Sequence, residues 1–170
     1  SHRSDVLRSS FDVLEFRFTN MHPATAYAHF SFQVNAAGAS GFNETITSTF
    51  FEAYHQESDS GASLHYDAGY DLAQGTAYQT LARSQNNGAD AAASGILTLY
   101  APSSTTYVKQ FVSRAQGMHG DGGVAANAYV LDQFAAGYIN VTAAIDEISF
   151  KYSSGNIDAG QIKMYGIAKA

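Results

Sequence analysis

The stretch Ile145–Ala170, IDEISFKYSSGNIDAGQIKMYGIAKA, holds two apolar-alternating runs around a turn made of small and polar residues. In Ile145–Tyr152 the side chains of Ile148, Phe150 and Tyr152 fall on one face, the period-two pattern of a half-buried strand. Ser153–Gly160 is rich in Ser, Gly, Asn and Asp and reads as the turn. Gln161–Ala168 supplies the returning strand, so the C-terminus predicts an antiparallel pair.

The same alternation extends toward the N-terminus. Leu14, Phe16 and Phe18 mark a strand over Val13–Thr19, and Phe30, Phe32 and Val34 another over His29–Asn35, with a break at Asn20–Thr25 that contains Pro23. Asn43–Gln56 is a Thr- and aromatic-rich strand whose Phe50–Phe51 pair blurs the buried face, and Glu57–Ser63 turns it into a hairpin with Leu64–His65–Tyr66. Asp67–Gln74 has room for a short helical turn between glycines. Ser84–Ala93 reads as an exposed loop, Ile96–Tyr100 and Tyr107–Arg114 as strands, Met118–Gly123 as a Gly-rich mobile tip, and Ala125–Val141 as a strand or bulged strand.

Eight to ten short strands spaced by turns, with no regular strand–helix alternation, predict an all-β fold: a single antiparallel β-sandwich of jelly-roll type. The nearest competitor, an immunoglobulin-like sandwich, would lack its Cys–Trp–Cys core in a chain with neither residue. A length of 170 residues suits one core over Phe11–Ala170, with Ser1–Ser10 as a flexible polar arm. A formal charge of −6 argues against a nucleic-acid partner, which would call for clustered Lys and Arg. No run reaches the roughly 18 apolar residues of a membrane-crossing helix, so membrane insertion is not expected.

Candidate chemistry is sparse. The six histidines, His2, His22, His29, His55, His65 and His119, show no metal-ligand spacing, and the loop acids Asp59, Asp67, Asp71, Asp121 and Asp158 sit in no calcium-loop register. No nucleophile elbow or phosphate loop is present, and Asp146 and Glu147, adjacent on a strand, point to opposite faces. The expectation is therefore no catalytic residues, no bound metal and no cofactor. Tyrosines near strand ends and loops remain as ligand or interface aromatics: Tyr54, Tyr66, Tyr70, Tyr78 and Tyr107.

Three stretches carry a resemblance: Phe16–Glu57 with FRFTNMHPAT, Ile96–Arg114, and Ala136–Ala170 with the closing IDEISFKYSSGNIDAGQIKMYG. Together they resemble small virion-associated structural proteins of tailed bacteriophages, marine ones especially. The resemblance implies a non-enzymatic component of the particle exterior: a capsid decoration protein, or a fibre or spike element of head or tail. It further implies partners among other virion proteins and copies of itself, the implied homo-oligomer being a trimer. The alternative reading is a host-recognition module that stacks glycan rings on the loop tyrosines.

Overall fold

The computed structural model describes residues 11–119 and 128–168. Within them the chain is all-β and antiparallel, with ten strands. These are β1 (Phe11–Pro23), β2 (Ala28–Ala36), β3 (Ile46–Gln56), β4 (Ala62–Tyr66), β5 (Gln79–Gln85), β6 (Ala93–Tyr100), β7 (Lys109–His119), β8 (Tyr129–Ile139), β9 (Ile145–Tyr152) and β10 (Ile157–Ala168). The expected arm Ser1–Ser10 and the tip from Gly120 onward lie outside the described residues.

Seven strands form one sheet in the order β10-β1-β6-β7-β8-β3-β4, and β5-β2-β9 form a second layer that, among the described residues, pairs with it as a strand ladder at Gln85–His119 alone. The pairs β1/β10, β2/β9 and β3/β8 are nested in sequence, the relation that folding a long hairpin back on itself produces. Aromatic rings fill the space between layers. Phe18 meets Phe30 at 5.1 Å, Phe16 meets Phe150 at 5.5 Å, and Phe32 meets Phe111 edge-on at 5.1 Å. Each such buried side chain contributes roughly 1.5–3 kcal/mol from leaving water.

Several local expectations change. Pro23 does not break β1, because it ends the strand where β10 has already shifted register at a bulge. Asp67–Gln74 forms no helical turn; it lies along β3, with Ile46 and Gly75 exchanging two backbone hydrogen bonds and the Ser48 N–H donating to Leu72 O. The β7 strand starts at Lys109 and runs to His119, past the expected end at Arg114. Phe50 points into the core and Phe51 out of it, which settles the ambiguous pair.

The β5 strand falls where the sequence suggested no strand at all. QTLARSQ lacks an apolar stripe, yet six of its seven residues are buried. Hydrogen bonds replace apolarity here: Gln79 Nε2 donates to Tyr70 O and Thr80 O, while Gln79 Oε1 accepts from Ser48 Oγ. The β2 strand is likewise buried on both faces, because Gln33 Nε2 donates to the carbonyls of Glu44, Thr76 and Ala77 and draws the crossing segment over it.

Lys109 is fully buried, and its ammonium donates to the carbonyls of Tyr107, Val141 and Thr142 at 2.9, 3.2 and 3.1 Å. It fastens the start of β7 to the β8–β9 connection. Lys109→Ala should therefore lower the unfolding free energy by about 2–3 kcal/mol, read from urea denaturation followed by circular dichroism. A change under 0.5 kcal/mol would show that water replaces the ammonium without loss.

Candidate functional site

Where β5 meets the β3–β4 hairpin, charged and aromatic side chains line a seam between the layers. Glu52 on β3 is fully buried, and Arg83 on β5 grips it with both guanidinium arms, Nε donating to Oε2 at 2.7 Å and an Nη to Oε1. Arg83 also lies 3.6 Å from Asp67, and its backbone N–H donates to Gln133 Oε1 at 2.7 Å. His65, opposite Glu52 in the β3–β4 register, places Nε2 3.6 Å from Glu52 Oε1 and 3.9 Å from Asp67 Oδ2.

One ligand atom each from Glu52, His65 and Asp67 lies within 4.8 Å of the others, a spacing that can suit a cation. Arg83 lies against both carboxylates and offsets one of their two negative charges. With both Glu52 oxygens held by the guanidinium, Glu52 is also no free general base. None of these roles was legible in the sequence, since Glu52 and His65 meet through strand pairing and Arg83 reaches them only across the two layers.

Of the five tyrosines singled out from the sequence, two flank this seam. Tyr54 stands edge-on to His65 and tilts against Tyr129, and Tyr70 packs on Phe50 and His29 beneath the Arg83 guanidinium, 5.5 Å above its ring. Tyr66 belongs to the opposite face of the hairpin and donates its hydroxyl to Asp71. Tyr78 lies apart, bonded to Ser149 with Lys151 Nζ 3.9 Å over its ring. Tyr107 is exposed in the loop before β7 and joins none of the others. The five thus form no common platform.

Two histidines deepen the seam. His29 Nδ1 accepts the Ser84 N–H at 2.8 Å, and burial, then the nearby Arg83 charge, lowers its pKa. His119 stacks on Tyr129 at 4.4 Å, and the same two causes, burial first, bring its pKa down to about 4.

The outer face of the seven-stranded sheet is built differently. Strand registers align Lys163, Arg17, Ile96, Arg114, Phe134, Phe51 and Tyr66 in one row across all seven strands. Phe51 and Phe134 stack at 4.7 Å, Arg114 lies 5.0 Å over Phe134, and Asp132 holds Arg114 through two hydrogen bonds. Beside this row Leu64, Tyr100, Val112, Val130, Tyr165 and Ile167 are exposed. A shallow depression of about 390 Å³, lined by Gly95, Ile96, Arg114, Gln116 and Asp132 among others, opens on the same face. So many apolar side chains on one face exceed the scattered exposure of an ordinary surface. Comparison with protein-family models, curated proteins and solved structures finds no match to this chain.

Two outcomes test the seam. Arg83→Leu leaves the Glu52 carboxylate buried without a counter-charge and should cost about 3–5 kcal/mol, while adding Glu52→Leu should recover most of it. A double variant as unstable as the single one would show that packing, not charge, is at stake. For the histidines, a folded pKa below the unfolded 6.5 means that stability is full above pH 6.5 and declines as pH falls toward 4. His119→Phe should flatten that decline in a series of thermal melts; an unchanged slope would clear His119 of the effect.

Proposed function

We propose that this chain is a non-enzymatic structural protein of the exterior of a tailed-phage particle, acting in capsid decoration and stabilisation or as a head- or tail-attached fibre or spike element. The observation that supports the reading best is the outer face of the seven-stranded sheet, a broad apolar surface that a protein neighbour would cover. The resemblance of the three quoted stretches to virion proteins supplies the setting. The nested strand pairs are read as a jelly-roll relative in which β6 and β7 insert between β1 and β8.

A second reading, glycan recognition, is favoured by the seam's mouth, where Tyr54, His65 and Asp67 are partly exposed beside the Arg83–Glu52 pair. Carboxylate, imidazole and a ring edge in one place are the groups that pair with sugar hydroxyls and faces.

Proteomics of purified particles should find this chain at a copy number matching a symmetric shell or appendage. Its absence from particles, with presence in the infected-cell lysate, would reject the structural reading. For the second reading, a glycan array should return hits that Tyr54→Ala removes; an empty array counts against it.

A further inference from the structure

Edge strands left open invite pairing with other chains, and proteins usually blunt them by shortness, charge, proline or cover. Two of this molecule's edges follow that rule. The β4 edge is five residues long, and β9 carries Asp146, Glu147 and Lys151 along eight. The β10 edge does not. It is twelve residues long, contains no proline, and carries only Asp158 and Lys163 as charges. Among the described residues it pairs with β1 alone. Eleven of its twelve residues are exposed, including Ile157, Met164, Tyr165 and Ile167, and Ile162 alone packs partly against the core, so among the described residues both of its faces are largely open.

We propose that the free edge of β10 pairs antiparallel with β10 of a second copy of this chain, with Met164 on the two-fold axis. The register follows from geometry. Opposite Val13–Thr19 the ladder of β10 runs without interruption over Gln161–Ile167, seven residues centred on Met164; beyond it lie bulges. Through pairing with β1, Lys163, Tyr165 and Ile167 share the outer face with Arg17, Glu15 and Val13, and Ile162, Met164 and Gly166 the inner face with Phe18, Phe16 and Leu14. Directly opposed residues in an antiparallel pair must share a face, so a one-residue slip is excluded.

A two-fold at Lys163 would oppose two ammonium groups, which is unfavourable. The two-fold at Met164 uses the whole uninterrupted ladder. It sets Lys163 of each copy against Tyr165 of the other, a cation beside an aromatic ring, and Gln161 against Ile167. It also sets Ile162 against Gly166, where no side chain competes for space, and Met164 against its own copy. The two seven-stranded sheets then continue into one, and their outer apolar faces lie side by side. This names the self-partner of the assembly reading and rests on that reading for its setting in a particle.

The test uses the full chain in solution. Multi-angle light scattering over a dilution series should give twice 18.1 kDa, falling to the monomer on dilution. Met164→Lys places two ammonium groups on the axis and should weaken dimerisation by about tenfold or more, with the circular dichroism spectrum unchanged. The chain has no cysteine, so Met164→Cys should also form a disulfide-linked dimer under mild oxidation, and Ala62→Cys on the β4 edge should not. A monomer at every concentration, a trimer, or equal cross-linking at both positions would overturn the proposal. If Met164→Lys fails to fold, the cysteine pair still decides. A dimer whose chain is missing from purified particles would remove the virion reading and leave the pairing standing.

Discussion

The buried contact between Arg83 and Glu52 is where the two layers of this protein are made to agree. Glu52 belongs to the seven-stranded sheet and Arg83 to the three-stranded one, which among the described residues pairs with it in a strand ladder at Gln85–His119 alone. A carboxylate taken fully out of water costs several kcal/mol unless its charge is answered, so β5 can sit only where its guanidinium reaches β3. Apolar packing between Phe16, Phe18, Phe30, Phe32, Phe111 and Phe150 supplies the larger favourable term, but rings tolerate sliding. The bidentate ion pair does not, and it fixes the position in which the rings interlock.

That division of labour explains which parts of the fold could be read from residues alone. Strands whose inner face is apolar, such as Phe16 and Phe18 in β1 or Phe111 in β7, announce themselves by alternation. The β5 strand stays silent because four of its six buried positions are polar, Gln79, Thr80, Ser84 and Gln85, and the groups that bond Gln79 belong to Ser48 and Tyr70, 31 and 9 residues away. The ion network is hidden for the same reason. Glu52 and Arg83 stand 31 residues apart, and nothing local marks a glutamate as buried until its counter-charge is seen. Among the tyrosines, ring chemistry was the visible signal, but whether a face is free depends on cations such as Arg83 and Lys151 arriving from other strands.

The two surfaces of the large sheet answer different demands. From β1 to β3 its inner face is covered by rings and by the seam, where histidines held neutral by burial and by Arg83 make the interior sensitive to acid. Its outer face sets the ion pairs Arg114–Asp132 and Arg17–Glu15 inside a field of apolar side chains. Arg114 also lies over the Phe134 ring, so the same guanidinium serves the carboxylate of Asp132 and the aromatic pair beside it.

The C-terminal strand joins these themes. Ile148, Phe150 and Tyr152 on β9 work as alternation suggests: Phe150 stacks on Phe30, and Tyr152 donates its hydroxyl to Met21 O. The same reading applied to β10 would place Ile162 and Met164 in a core, yet the second layer ends at β9 and leaves Met164 uncovered. A strand patterned for burial but built beyond the reach of its own second layer is half of a contact. Hydrophobic patterning is set by what a side chain meets in the working assembly, and in β10 the missing half is best supplied from outside the chain.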